Sequence, residues 1–214
     1  MFLDVQVDNI AVAGHWERPD PRVLERFADV PAANVGDALE RMSVLDGGVG
    51  LRTRRDRLVG FALPVDVRSG DNLAIHRALD EARPGDVLVV NGRGDTTRAL
   101  IGDLIGEIMI SAGMVGAVVD GAVRDVDALS RQGLTVYARA VTPAGPFKDG
   151  PGSVGGPVAV GGVVVAPGDL IVGDADGVVV VPTAKIEQVS ERVGRVVGNE
   201  EALRARILEA RARR

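Results

Sequence analysis

Apolar residues change their spacing along the chain, and each change predicts a different structural element. From Leu58 to Val67 apolar residues alternate along the chain, which predicts a half-buried strand, and Pro64 within it indicates a sheet edge or a bulge. The run from Asp86 to Val90 is almost wholly apolar and predicts a buried strand, followed by a loop over 91–97. Apolar residues at helical spacing then predict a helix that begins at Gly102 and Asp103.

Capping residues, glycines and prolines delimit the remaining predicted elements. Three helices are expected over 20–28, 34–42 and 71–82, capped by Asp20, Asn34 and Asp71. The other predictions are a strand over 115–119, a short helix over 125–132, a strand over 134–140, an ordered Gly- and Pro-rich loop over 142–157, strands within 158–165 and 170–182 with a turn at 174–177, and a long helix from Thr183 with Gly198 as a candidate break.

The segment from Gly102 to Asp127 contains the strongest candidate site. Twenty residues separate Asp103 from Arg124, enough for one helix and one return strand, so the first turn of the helix is expected beside the loop after the strand. A helix N-terminus offers unpaired N–H groups and a partial positive charge, and a glycine there lets a ligand approach the backbone closely. The sequence therefore predicts an anion site at the amides of Asp103, Leu104 and Ile105.

The side chains beside these amides suit the chemistry of a small 2-oxo acid. Arg124 presents a planar, permanently charged fork that can hold a carboxylate or an enolate oxygen. Asp125 can ligate a divalent cation and leave most coordination positions to water and substrate, while Asp103 can orient or deprotonate a water on that cation. The alternative from the residues alone is structural: Arg124 pairs with Asp125 or Asp127 on the surface, and Asp103 only stabilises the start of its helix.

The scarcity of certain residue types narrows the chemistry further. The 214-residue chain has no cysteine, two lysines (Lys148 and Lys185) and two histidines (His15 and His76). Neither lysine lies in the apolar setting that Schiff-base chemistry needs, and two distant histidines cannot build a His-rich metal site. His76 is interpreted as an ordinary packed histidine. Any metal is therefore expected on carboxylates, carbonyls and water, which favours Mg²⁺ or Mn²⁺.

Overall charge and hydropathy argue against several kinds of partner. A formal net charge of −5 is unlike that of a nucleic-acid-binding protein, which normally carries a basic face. No stretch approaches the roughly 20 apolar residues of a membrane span. The N-terminus has an early acid and no long apolar run, unlike a signal peptide. The expectation is a cytoplasmic protein that binds a small molecule.

Several motifs resemble those of one known family. GDLI at Gly102, followed at the spacing given above by DGAVRDVDAL, is similar to the family that joins two groups of proteins. These are the class II 4-hydroxy-4-methyl-2-oxoglutarate/4-carboxy-4-hydroxy-2-oxoadipate aldolases and the RraA-like regulators of ribonuclease E activity. The resemblance extends through NVGDALERM, HRALDEARPGDVLVVNG and PGDLIVGDADGVVVVP, and so covers about residues 30 to 185.

This resemblance implies an α/β protein, an α-β-β-α sandwich of the swivelling β/β/α type with an N-terminal helical extension and a C-terminal helix. We divide the chain accordingly into an arm over 1–30, a core over 31–185 and a helical tail over 186–214. The implied assembly is a homotrimer or homohexamer. The implied site has substrate at Gly102, Asp103, Leu104, Ile105 and Arg124, catalytic roles for Asp103 and Arg124, metal on Asp125, and Glu200 (or Glu201) reaching it from a neighbouring subunit.

The resemblance leaves two functions open. One is a metal-dependent aldolase that cleaves 4-hydroxy-4-methyl-2-oxoglutarate or a related 4-hydroxy-2-oxo acid to pyruvate, and that also decarboxylates oxaloacetate. The other is a regulator that binds a ribonuclease. About thirty residues before the core and a helical tail after it are similar to the aldolase branch, so we favour the enzyme. A methyltransferase activity, a label borne by some similar sequences, finds no support because the chain has no nucleotide fingerprint.

Overall fold

A central group of parallel strands organises the computed structural model, which describes residues 9–213. Its strands are β1 (Ile10–Val12), β2 (Gly50–Leu51), β3 (Leu58–Val67), β4 (Asp86–Ile101), β5 (Gly116–Val123), β6 (Thr135–Val141), β7 (Gly152–Val154), β8 (Val158–Val160), β9 (Val163–Val165), β10 (Leu170–Asp174) and β11 (Gly177–Val181). Its helices are α1 (Arg22–Glu25), α2 (Ala32–Ala38), α3 (Leu73–Ala78), α4 (Asp103–Ser111), α5 (Val126–Arg131) and α6 (Ile186–Ala212), with a 3-10 turn at Thr183–Lys185 before α6.

The larger sheet has the strand order β1-β7-β3-β4-β5-β6-β2, and the four strands from β3 to β6 are parallel to one another. One helix connects each successive pair of these four strands, as parallel pairing requires. β3 also pairs antiparallel with β10, which forms a hairpin with β11. β8 and β9 form a separate hairpin.

Three apolar clusters divide the protein into four layers. The first, which includes Leu63 and Met109, lies between helices α3 to α5 and one face of the parallel strands. The second, which includes Val89 and Val180, lies between the parallel strands and the two hairpins. The third joins the β10-β11 hairpin to α1, α2 and α6, where Val189 is buried. The layers therefore follow the predicted α-β-β-α order, with the predicted C-terminal helix.

β3 is buried along nearly its whole length, because helices cover one of its faces and the hairpins cover the other. The prediction of a half-buried strand with Pro64 at an edge or bulge was therefore wrong. Pro64 lies where β3 changes partner, since β10 pairs with residues 58–61 and β7 with 65–67. The N–H that proline lacks falls in this gap, while the Pro64 carbonyl accepts a hydrogen bond from Gly155 N at 2.9 Å.

β4 continues far beyond the predicted end at Val90, and the predicted loop over 91–97 lies within the strand. Its pairing with β5 slips three times after Val90, so this part of the strand is irregular. Arg93 and Gly94 have positive φ angles of 60° and 69°, which explains why the residues indicate a turn. The extended path carries the chain to Gly102, at the edge of the sheet.

Helix boundaries differ from the predictions where distant residues supply the caps. Asn34 lies inside α2 and is buried, whereas Ala32 N at the start of that helix donates to Asp174 Oδ2 at 2.7 Å. The cap thus comes from the β10-β11 turn, which local sequence does not reveal. The predicted helices over 20–28 and 71–82 shorten to α1 and α3, and Asn72 takes the N-cap position predicted for Asp71.

α6 runs without a break through Gly198, contrary to the predicted interruption. At 27 residues it is about 40 Å long. Its first half packs against α2, but residues 201–212 are exposed on every side. No helix among the described residues, α6 included, is both long and apolar enough to cross a membrane.

The N-terminal arm is attached to the body by an arginine and the single tryptophan. Arg18 donates to both carboxylate oxygens of Asp86, at 2.8 and 2.7 Å, and that carboxylate is fully buried. The Arg18 guanidinium also lies 5.3 Å from the centre of the Trp16 ring. Trp16 in turn packs so closely on Gly155 that a Cβ there would lie 2.4 Å from the ring. These contacts fix the described part of the arm beside β7.

Candidate active site

Two of the predicted site segments follow neighbouring parallel strands. β4 ends at Ile101 and β5 at Val123, and these two residues are paired in the sheet. Gly102-Asp103 and Arg124-Asp125 therefore begin side by side at the carboxyl edge of the sheet, where open α/β folds bind ligands. Gly102 is the N-cap of α4, as the sequence predicts.

Both aspartates of these segments accept hydrogen bonds from the first turn of α4. Asp125 Oδ2 accepts from Asp103 N at 3.3 Å, and Asp103 Oδ1 accepts from Leu104 N at 2.8 Å. Carboxylate oxygens of the protein thus accept hydrogen bonds from two of the amides at which the sequence predicts an anionic substrate. Arg124 Nε lies 3.2 Å from Asp125 Oδ2, the ion pair of the structural alternative. Because both side chains are more than a third exposed, a ligand can displace this pair at little cost.

The backbone packs tightly against the side chains of Arg124 and Asp125. A Cβ on Gly102 would lie 2.5 Å from Asp125 Oδ2 and 2.9 Å from Arg124 Cγ, so glycine is required for the side chains to approach. Asp125 has φ 55° and ψ 35°, a left-handed conformation that is uncommon outside glycine and enriched in aspartate. Such backbone strain costs about 1–3 kcal/mol and is found mainly at functional sites.

A cavity of about 80 Å³ opens beside these groups. This volume is well below the roughly 300–1,000 Å³ of pockets that hold drug-sized ligands, so the cavity suits a small molecule. Part of the lining, which we call the motif wall, consists of Gly102, Asp103, Leu104, Ile105 and Arg124. Another part, which we call the polar wall, consists of Asn72, His76 and Lys148.

The polar wall presents buried polar atoms that have no partner within the described part of the chain. Asn72 is 3% exposed and donates through Nδ2 to Leu100 O at 3.0 Å, but its Oδ1 has no partner. His76 is 8% exposed, and neither ring nitrogen has one. Burial, helped by the positive charge of Lys148, lowers the pKa of His76 to about 4. The neutral ring therefore offers a ligand one donor and one acceptor.

The polar wall is the part of the cavity that the sequence interpretation missed. His76 was interpreted as an ordinary packed histidine and Lys148 as a loop residue, whereas both line the cavity. One signal was available, because the i, i+4 spacing of Asn72 and His76 places them on one face of a helix. Nothing in the local sequence shows that this face is turned toward Gly102.

The remaining predictions concern the metal and Glu200. Among residues 9–213 no group of three or more His, Asp or Glu side chains could hold a metal ion. The donors at hand are the carboxylate of Asp125 with that of Asp103 nearby, a set that fits Mg²⁺, which commonly takes one or two carboxylates and keeps several waters. Glu200 lies on α6 outside the cavity lining and pairs with Arg204 at 3.6 Å, so its predicted role depends on a neighbouring subunit.

The chain combines an α-β-β-α sandwich with a site of acidic side chains and one arginine at the ends of two parallel strands. This combination of fold and site defines the class of protein to which we assign it. The model of the RraA-like family, described as Aldolase/RraA, matches residues 32–180, which is more than half of the chain. The chain belongs to this family.

Similar proteins fall on both sides of the family. A Halalkalibacterium halodurans protein named "Putative 4-hydroxy-4-methyl-2-oxoglutarate aldolase" is 40% identical over 179 residues, which cover 84% of this chain and 85% of that protein. Streptomyces coelicolor RraAS2, described as an unusual member of the RNase ES inhibitor RraA family, has a TM-score of 0.81 at 30% identity and covers 89% of this chain and 99% of its own. The RNA-processing inhibitor RraA from Thermus has a TM-score of 0.67 at 30% identity, over 72% of this chain and 93% of its own.

Proposed function

We propose that the protein is a divalent-metal-dependent aldolase that cleaves 4-hydroxy-4-methyl-2-oxoglutarate, or a related 4-hydroxy-2-oxo acid, to pyruvate. Oxaloacetate decarboxylation is expected as a side activity. The observation that carries this proposal is the placement of helix amides, Asp103 and Arg124 around one small cavity, with Asp125 in contact with Asp103 and Arg124. The name of the similar Halalkalibacterium halodurans protein supports the same activity.

Substrate binding follows from the charges of the motif wall. The carboxylate of the 2-oxo acid replaces the protein carboxylates at the first-turn amides of α4, where the helix dipole favours an anion. Arg124 then donates to the 2-oxo oxygen, because release from Asp125 frees its guanidinium. Substrate binding therefore exchanges contacts within the protein for contacts with the ligand.

Asp125 is the residue that would hold Mg²⁺ or Mn²⁺, with Asp103 beside it. Such an ion, when bound, supplies Lewis-acid stabilisation of the negative charge that develops on the 2-oxo oxygen. The site leaves coordination positions for the substrate, since it contributes so few protein ligands.

Asp103 is the proposed general base. Its carboxylate, directly or through a water, receives the proton of the C4 hydroxyl, and the C4–O bond becomes a carbonyl as the C3–C4 bond breaks. The electron pair of that bond forms the pyruvate enolate, whose oxygen is stabilised by Arg124. Protonation at C3 gives pyruvate. Oxaloacetate reaches the same enolate when carbon dioxide leaves from C4, so the groups that stabilise the enolate serve both reactions, whereas only aldol cleavage needs the general base.

The polar wall supports a substrate with a second polar end. Asn72 Oδ1, the His76 ring and the Lys148 ammonium offer an acceptor, a mixed donor–acceptor and a cation. A 4-hydroxy-2-oxo diacid supplies a complementary hydroxyl and carboxylate, whereas pyruvate alone leaves these groups without partners. This arrangement favours a diacid over a monoacid substrate.

A coupled assay of pyruvate release tests the proposal. Purified protein is incubated with each aldol substrate and with oxaloacetate, with and without Mg²⁺ or Mn²⁺, and pyruvate is followed over time. We expect turnover that a chelator abolishes and added metal restores. No pyruvate from any of the three compounds with either metal would contradict the proposed activity.

The second candidate is a protein-binding regulator, which the names of the RraA relatives favour. A regulator works through a surface, so Asp125→Ala should leave its partner bound, and the native protein should turn over no 2-oxo acid with any metal. Capture of a ribonuclease by both the native protein and the variant, together with no pyruvate release, would favour the regulator over the aldolase.

Assembly is the last part of the proposal, and it rests on α6. Leu203, Ile207 and Leu208 are exposed on its unsupported half, which is too polar to be stable as an isolated helix. Burial against a neighbouring subunit would stabilise each of these side chains by roughly 1.5–3 kcal/mol and would carry Glu200 toward that subunit's cavity. We propose a homotrimer or homohexamer.

Light scattering measures this assembly directly. Truncation after Val197 should dissociate the oligomer and lower activity more than it lowers helix content. A fully active monomer at micromolar concentration would contradict both the assembly and the role of Glu200.

A further inference from the structure

The segment 144–150, which we call the strap, crosses the sheet edge and carries one residue of the polar wall. It follows β6, yet Phe147 N donates to Gly70 O at 2.8 Å and Asn72 N donates to Phe147 O at 3.0 Å, both beyond the end of β3. Since β4 and β5 lie between β6 and β3, the strap passes over the ends of the strands that carry the motif wall. Lys148 lines the cavity from this strap, so the path of the strap decides where its ammonium lies.

A buried carboxylate holds the end of the strap. Asp71 is 1% exposed, and its Oδ2 accepts hydrogen bonds from Asp149 N at 2.8 Å and Gly150 N at 3.0 Å. Its Oδ1 accepts from Leu73 N at 2.9 Å, at the start of α3. One ionised side chain therefore ties the strap to the helix that carries His76, through bonds of the strong charge-assisted kind.

An exposed aromatic ring holds the middle of the strap. The Phe147 ring centre lies 4.0 Å from the guanidinium carbon of Arg98 and 5.7 Å from that of Arg68. Arg98 also donates to Gly145 O at 2.8 Å, so it contacts the strap twice. Phe147 is 45% exposed, which makes a role in the apolar core a poor explanation for a phenylalanine at this position. Its contacts are those of a cation–π clamp.

We infer that Asp71 and Phe147 are positioning residues that set the preference of the site for a 2-oxo diacid over a 2-oxo monoacid. Neither lines the cavity; both act through the strap, which presents Lys148 to the second carboxylate of the ligand. This inference rests on the proposed function. It means that two residues outside the cavity lining control which class of substrate the site prefers.

Binding of two uncleavable ligands tests the inference. 2-Oxoglutarate has the second carboxylate and pyruvate lacks it, and the affinity of the full-length protein for each is measured by calorimetry with Mg²⁺ present. Phe147→Leu should weaken 2-oxoglutarate binding by roughly two- to five-fold, as expected for loss of a cation–π contact, and leave pyruvate binding unchanged. Phe147→Tyr keeps the ring and should bind both ligands as the native protein does. Asp71→Asn should act in the same direction as Phe147→Leu, with circular dichroism to confirm the fold.

The outcomes separate the inference from the proposed function. Equal weakening of both ligands by Phe147→Leu, or no weakening of either, overturns the positioning role while the native protein still binds 2-oxo acids. Selective weakening that Phe147→Tyr reproduces overturns it as well, because the ring is then not responsible. Failure of the native protein to bind either ligand with Mg²⁺ overturns the proposed function, and the inference with it.

Discussion

The motif wall and the polar wall line the same cavity but are assembled in different ways. The motif wall comes from one continuous unit, β4-α4-β5, whose two ends meet because β4 and β5 are adjacent and parallel. The polar wall combines α3 with a lysine more than seventy residues away along the chain, on a strap held by Asp71 and Phe147. Groups that one supersecondary unit places together are therefore suited to a fixed chemical step, whereas the polar wall depends on a segment that is distant along the chain.

The largest effect is expected from Asp125, which pairs with Arg124 beside the motif wall. Asp125→Ala removes the carboxylate proposed to hold the metal, so kcat/KM with Mg²⁺ should fall by about 1,000-fold or more, the several kcal/mol that a Lewis acid contributes. The matched control is Asp127→Ala, since that side chain is 76% exposed and pairs with Arg54 at 3.6 Å. Undiminished activity of Asp125→Ala at limiting metal would remove Asp125 from the site.

Arg124→Lys should lower kcat by about 100-fold, because a point charge does not reproduce the planar fork that stabilises the enolate oxygen. Arg131→Lys, on the exposed last turn of α5, is the control for a general effect of the substitution. A lysine variant with native kcat would show that Arg124 does not contact the enolate.

Lys148→Met tests the polar wall and should have a smaller effect of a different kind. We expect KM for a diacid substrate to rise by about ten-fold with kcat nearly unchanged, because binding is lost equally in the ground and transition states. Lys185→Met, outside the cavity, is the control. A fall in kcat with constant KM would instead place Lys148 in the chemical step. The motif wall and the polar wall would then not differ in function.

The smallest effect concerns stability rather than turnover. Burial lowers the folded-state pKa of His76 to about 4, below the usual histidine value of 6.5, so the unfolded chain binds the proton more tightly and acid favours unfolding. This contribution to stability is fully present above about pH 6.5 and is lost as the pH falls toward 4. Between pH 6.5 and 5 the loss should be roughly 1–2 kcal/mol in urea unfolding, and smaller in His76→Asn. Identical losses in both proteins would show that His76 is not held neutral by burial.

The two walls also differ in how far the sequence predicts them. The proximity of Asp103 and Arg124 can be predicted from the sequence between them. One helix and one strand fill that segment, so there is little freedom in where its two ends lie. His76 and Lys148 could not be brought together in this way, since the strap depends on hydrogen bonds that Asp71 accepts from residues nearly eighty positions away. The same limit explains α2, whose start is capped by Asp174 rather than by the predicted Asn34.

Trp16 gives the protein a single built-in optical probe. No other tryptophan is present, and this one is half-buried, packed on Gly155 and beside the Arg18 guanidinium. Its fluorescence emission therefore reports whether the N-terminal arm is docked and is insensitive to side chains of the cavity, which it does not line. An emission change at lower denaturant than the loss of far-ultraviolet dichroism would measure release of the arm as a separate step, without any added label.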